Sequence, residues 1–143
     1  MIERSFTVAV SVDRAFAAWT KHIDMWWPPN HRPNGTSGVI VLEPQIGGRF
    51  TDRGADGRVV ELGVVTSWEP PHRLAYRFFM GSGAEHPSDV LIAFAQDGDG
   101  TRVDIRHEQG AVSDERWGAT NGGYIVAWDH LIDVFPSFAE QSA

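Results

Sequence analysis

Six histidines and no cysteine delimit the chemistry open to this chain. Without thiols there can be no disulfide, thiolate nucleophile, iron–sulfur cluster or thiolate zinc site. His22 and Asp24 are neighbours, but His31 lies seven residues past Asp24 and no HExxH or other compact ligand spacing occurs. No metal and no cofactor is therefore expected. No Ser–His–Asp or Cys–His arrangement is visible, and the single lysine, Lys21, is a poor Schiff-base candidate in a helical stretch. Gly47-Gly48-Arg49-Phe50 lacks the Lys-Ser/Thr of a phosphate loop and precedes no helix, so it is read as a strand-opening turn.

The remaining polar candidates are few. His107 is in phase with Val103 and Ile105, which puts it inside if those two are core. A buried imidazole must find hydrogen-bond partners or lose its charge. It could orient a ligand oxygen or transfer a proton, and a satisfied core histidine is the plainer reading. Tyr76 shares a face with Leu74 and Phe78, and Tyr124 lies on an apolar helical stripe. Each offers a ring with one polar tip, suited to a hydrophobic ligand with one oxygen, or equally to a plain core position. Glu61 falls on the face of Val59 and Val65, opposite Leu62 and Val64, so its direction stays open. Buried, it would have a raised pKa and could act as an acid or base; exposed, it is an ordinary strand carboxylate.

The elements that must position these groups follow from periodicity. Residues 2–10 alternate with Ile2, Arg4, Phe6, Val8 and Val10 on one face, the pattern of a half-buried strand. Ser11 stands where an N-cap would, before a stripe of Ala15, Phe16 and Trp19 that must end near Trp27, because Pro28-Pro29 forbids more helix. From Val39 to Glu108 the sequence is strand and turn. Asp56-Gly57 predicts a two-residue type I′ hairpin, and 58–68 a long strand interrupted by Gly63 and ended by Pro70-Pro71. His72 to Met80 resumes a strand, and the Gly/Ser/Pro-rich stretch 81–89 is expected to be the most mobile segment. Val90, Ile92 and Phe94 alternate, then Asp97-Gly98-Asp99-Gly100 marks another hairpin. Trp117, Tyr124, Trp128, Leu131, Phe135 and Phe138 recur at helical spacing with Ser113 as a plausible cap. A regular helix is expected from about Tyr124 to Phe135, with an uncertain start around Asn121-Gly122-Gly123 and a kink or stop near Pro136.

The chain has 143 residues, 12 basic and 19 acidic side chains, and a formal charge of −7. Its length suits one domain with a core that needs no staple. The acidic balance argues against nucleic acid and anionic lipid as partners. No apolar run approaches the ~20 residues of a membrane helix and the N-terminus lacks a signal-peptide layout, so a cytoplasmic setting without membrane insertion is expected. The order of elements gives an α+β fold, a curved sheet wrapped around the final helix.

Four stretches occur in a telling order: Glu43-Pro44-Gln45-Ile46-Gly47-Gly48-Arg49-Phe50; Gly63-Val64-Val65 running to Trp68-Glu69-Pro70-Pro71-His72-Arg73-Leu74; Gly100-Thr101-Arg102-Val103 with its strand to His107; and Gly122-Gly123-Tyr124 through Trp128 and Leu131. Together they resemble the START-like, or SRPBCC, superfamily that includes the birch-pollen allergen fold, and within it the branch named after the activator of the heat-shock protein 90 ATPase. The resemblance covers essentially the whole chain, residues 1–143, as a single START-like domain. It implies a helix-grip fold: about seven antiparallel strands curved around a long C-terminal helix, with two short helices after strand one. It also implies an apolar cavity between sheet and helix for lipids, sterols, polyketides or similar molecules. Some members of the superfamily are enzymes, such as polyketide aromatase/cyclases, and the eponymous branch includes co-chaperones.

The first expectation is thus a module that binds a small hydrophobic molecule. Its pocket residues would be Trp68, Tyr76, Phe78, Phe94, His107, Tyr124 and Trp128, with Trp26 and Trp27 near the entrance or plugging it. The second is an enzyme using the same cavity for acid/base chemistry through His107 or a tyrosine. The third is a chaperone-interacting module. An unpaired edge strand leaves a homodimer open as well.

Overall fold

The period-two alternation at the N-terminus becomes strand β1 (Ile2–Val8), and Ser11 caps helix α1 (Val12–Thr20) by accepting from the Arg14 N–H. Helix α1 buries Ala15, Phe16, Ala18 and Trp19. A single turn, α2 (Ile23–Trp26), follows, and the prolines end it, passing the chain through 3₁₀ turns at Pro29–His31 and Gly35–Ser37. Strands β2 (Gly38–Leu42), β3 (Arg49–Gly54), β4 (Val59–Glu69), β5 (Arg73–Phe78), β6 (Ser88–Asp97) and β7 (Gly100–Glu108) lead to helix α3 (Asp114–Gln141). The structure, a computed structural model, describes residues 1–79 and 85–141. Met80, expected in phase with β5, and residues 81–84 of the Gly/Ser/Pro-rich stretch lie outside them.

The seven strands form one antiparallel sheet in the order β1-β7-β6-β5-β4-β3-β2. Its inner face carries Val103, Ile105 and His107 of β7, Val90, Ile92 and Phe94 of β6, and Leu74, Tyr76 and Phe78 of β5, all buried. Helix α3 lies across this face, packed on β1 and α1, so the chain has the expected α+β, helix-grip-like architecture.

Two bulges explain why β4 is apolar on both faces. The register shifts between Phe50 and Thr51 on β3, and again between Val65 and Ser67 on β4. Each extra residue reverses the phase, so that Leu62, Val65 and Trp68 can all serve the inner side. Glu61 is left outside, exposed and paired with the Arg49 guanidinium.

The β3–β4 connection is not the expected type I′ turn, because no non-glycine residue has a positive φ. The Gly57 N–H instead closes a turn onto the Gly54 carbonyl, Asp56 accepts from the Arg58 N–H, and Gly57 alone takes a φ of 86°. This is the alternative hairpin in which a tight turn is followed by one left-handed residue.

The larger correction concerns α3. It runs unbroken from Asp114 through Gly122-Gly123 and Pro136 to Gln141. Pro136 forfeits its bond to the Ile132 carbonyl, a loss of about 3 kcal/mol in a helix interior. Burial of Phe135 and Ala139 on the flanking turns offsets it, since a fully buried Phe contributes roughly 1.5–3 kcal/mol. Ties to the N-terminal strand add to this: Arg4 donates to Asp129 at 2.8 Å, and the Ala9 N–H donates to Glu140 at 3.0 Å.

Candidate functional site

Side-chain volume along α3 decides where the space beneath it is filled. Under its C-terminal half, Trp19, Trp26 and Phe135 meet with ring centres 4.7–4.8 Å apart, and Phe16 packs on Phe94 at 5.3 Å. Under its N-terminal half Tyr124 approaches Phe78, with ring centres 6.0 Å apart, but beside it the helix presents only the short side chains of Ala119, Thr120, Gly123 and Ala127. A cavity of about 310 Å³ results, closed by Trp27, His31, Phe78, Tyr124, Trp128 and Leu131. Its volume lies at the lower end of the range for small-molecule sites, roughly 300–1,000 Å³. Ala119 and Gly123 are exposed, so it opens to solvent beside α3.

The walls are fixed from behind. The Trp27 indole donates to the His31 carbonyl at 3.1 Å, and Arg32 donates to the Trp27 carbonyl at 2.8 Å. Arg32 is itself a largely buried cation, compensated by Asp24 at 2.6 Å. Asp24 also accepts from the N–H of Ile40 on edge strand β2, and Arg32 reaches the Gly38 carbonyl, so the pair straps the 27–32 turn to the sheet. The same strap occupies polar groups that an edge strand would otherwise present to another chain.

On the other wall, the Trp128 indole N–H donates to His107 Nδ1 at 2.9 Å. An indole nitrogen can only donate, so Nδ1 must be the acceptor and the imidazole proton sits on Nε2. Nε2–H then donates to Ser88 Oγ at 2.6 Å, and the Ser88 hydroxyl donates to the Phe78 carbonyl at 3.1 Å. His107 is fully buried, and burial, with a smaller contribution from the N-terminal ammonium, pushes its pKa down to about 4. Both nitrogens are consumed inside the core. His107 braces Trp128 and has no nitrogen left for a ligand.

Four of the nine residues expected at the pocket share the cavity: Trp27, Phe78, Tyr124 and Trp128. The other five lie outside its lining. Trp26 belongs to the packed cluster and donates to the Ala18 carbonyl at 2.9 Å, while Phe94 packs between Phe16 and Trp19. Tyr76 is enclosed by Phe50 and Phe78, and burial drives its hydroxyl pKa upward. Trp68 packs on Phe16 and faces a separate groove bounded by Ile23, Val39 and Pro44. His107 stands behind Trp128.

Sequence reasoning missed the small residues, whose signal was a lack of bulk at positions 119, 123 and 127, one helical turn apart. It also missed a pair of histidines. His31 Nε2 and His130 Nδ1 are 3.0 Å apart, although 99 residues separate them in the chain. Among the described residues no three His, Asp or Glu side chains converge as metal ligands, and no helix is long and apolar enough to cross a membrane.

The model of the family described as activator of Hsp90 ATPase homolog 1-like protein matches residues 9–135. No curated protein matches the chain. Among solved structures, protein NE0264 from Nitrosomonas europaea superposes with a TM-score of 0.73 at 14% identity, over 99% of this chain and 95% of that one. The self-sacrificing resistance protein CalC from Micromonospora echinospora gives 0.73 at 19% identity, also over 99% and 95%. At these identities the likeness concerns fold alone. The anthrahydroquino-gamma-pyrone synthase Txn09 is 27% identical with a TM-score of 0.56, over 82% of each chain.

Proposed function

The chain belongs to the activator of Hsp90 ATPase homolog 1-like family, and from that premise we propose that it binds a small hydrophobic molecule between α3 and Phe78 of the sheet. One observation carries this reading: an apolar cavity of about 310 Å³ sits beside a core that is otherwise tightly packed. The concave lining of the cavity is almost wholly apolar and includes Trp27, Phe78, Tyr124 and Trp128, the kind of surface a hydrophobic guest covers. Transfer of apolar surface from water, at about 25 cal/mol per Å², supplies the affinity. Trp27 and Trp128 are held in place by hydrogen bonds before any ligand arrives, which lowers the ordering cost of binding. The likeness to Txn09, a synthase of a polycyclic product by its description, is consistent with a ring-shaped guest.

We read residues 1–143 as one such domain. The formal charge of −7 speaks against a nucleic-acid partner.

Naphthalene, titrated while tryptophan fluorescence is followed, tests the reading. Saturable quenching is expected, because Trp27 and Trp128 line the cavity. Gly123→Phe should abolish it, since a Cβ at Gly123 meets open space and a ring there would occupy the cavity. Folded protein without saturable quenching, or equal quenching in the variant, would overturn it.

A further inference from the structure

The cavity has very little polar lining, and most of its polar atoms are already committed. Both indole N–H groups are donated to the protein, and the Thr120 hydroxyl donates to the Arg116 carbonyl at 2.9 Å. His31 differs. Its Nε2 faces His130 Nδ1 at 3.0 Å, the two rings standing 5.1 Å apart at 68°. That leaves His31 Nδ1 as the ring nitrogen with which a guest can bond. His130 does not line the cavity and is half-buried on α3, so its Nε2 is the far end of the pair.

Two imidazoles joined by one N–H···N bond have an adaptable polarity. With the shared proton on His31 Nε2, Nδ1 of His31 is an acceptor and His130 Nε2–H a donor. With it on His130 Nδ1, the roles at both ends reverse. The pair can therefore offer the cavity an acceptor or a donor without acquiring net charge.

Resting on the cavity reading above, we propose that His31 and His130 form its polar recognition site, and that the guest is a ring system bearing a weakly acidic hydroxyl, a phenol or enol, whose O–H donates to His31 Nδ1. Partial burial, and then the neighbouring His130, hold the His31 pKa below its usual value, which keeps the ring neutral and able to accept. A charged head group fits poorly. The nearby cation, Arg32, is already spent on Asp24, and an uncompensated charge in an apolar site is expensive. His130 does not touch the guest; it is a positioning residue, whose Nδ1 accepts from His31 Nε2–H while the guest donates to His31 Nδ1.

A matched pair of probes tests the proposal. Wild-type protein should bind 2-naphthol about tenfold more tightly than naphthalene, the return of one well-placed hydrogen bond. In His31→Phe and His31→Leu, which have no acceptor, the ratio of the two affinities should fall to about one, and His130→Ala should reduce it. In the wild type, 2-naphthol but not naphthalene should move the His31 ring ¹⁵N resonances, a readout that does not depend on a variant folding. Equal affinities for the two probes, a preference that survives loss of His31 or is untouched by His130→Ala, or one that disappears in Tyr124→Phe or Thr120→Val instead, would overturn the proposal and leave the cavity reading standing. Binding of neither probe would sink the cavity reading itself.

Discussion

The two halves of α3 cover the same sheet and reach opposite results. Toward the C-terminus, Phe135 meets Trp19 and Trp26, Ala139 is buried one turn beyond it, and the interior is solid. Toward the N-terminus, Ala119, Gly123 and Ala127 face Phe78 and Trp27 across a void. Topology is common to both halves. What differs is the volume on one helical stripe, so a helix-grip fold is full or hollow according to a handful of side chains. The sharpest way to break this comparison is to empty each half in turn. Phe135→Ala should cost about 3–5 kcal/mol, because it opens a new cavity among rings that cannot collapse onto it. Tyr124→Ala, which enlarges a space already present, should cost about 2 kcal/mol. Urea unfolding of both variants measures the difference, and equal losses would show that the two halves are packed alike.

Between the halves stands His107, which ties Trp128 to Ser88 and, through it, to Phe78. Its pKa of about 4 lies below the usual 6.5, so the unfolded chain binds the proton more readily than the folded one. Stability is then complete above about pH 6.5 and falls as the pH drops from there toward 4. Between pH 7 and 4.5 the loss from this one group should be about 2–3 kcal/mol. In His107→Gln, whose amide can still accept from Trp128 and donate to Ser88, that share of the acid sensitivity should vanish. Denaturant midpoints for the two proteins at both pH values give the comparison. Parallel pH profiles would mean that His107 is not held neutral by its surroundings.

The fold was largely legible because it is written in local periodicity. Alternation set the strands, Ser11 and Ser113 capped their helices, and Gly98 opened the β6–β7 turn with a φ of 59°. Errors fell where a tertiary gain outweighs a local preference. Pro136 argued for a kink or a stop, and the stop does not occur, because burial of Phe135 and Ala139 carries the helix past it. The site was legible in part for a related reason. Large aromatics announce themselves, so Trp27, Phe78, Tyr124 and Trp128 could be nominated, but bulk alone does not distinguish a wall from a plug, and Trp26 and Phe94 are plugs. The void is made by residues that draw no attention, and the His31–His130 contact joins a turn after α2 to a helix nearly a hundred positions later.

The smallest effect separates the two neighbouring glycines of α3. Neither takes a positive φ, and a Cβ at either would meet nothing within 4 Å, so local geometry demands glycine at neither position. In a helix interior Gly→Ala should then stabilise by about 0.5–1 kcal/mol, chiefly by restricting the unfolded chain. Gly122→Ala should show that gain and leave naphthalene affinity unchanged, since Gly122 does not line the cavity. Gly123→Ala should show the same gain with weaker binding, because its methyl group would narrow the opening between α3 and Phe78. Thermal unfolding and the naphthalene titration, run on the two variants side by side, set stability against occupancy at adjacent residues. If both glycines respond identically in both assays, the hollow half owes nothing to its glycine, and the contrast with the solid half must be sought in Ala119 and Ala127.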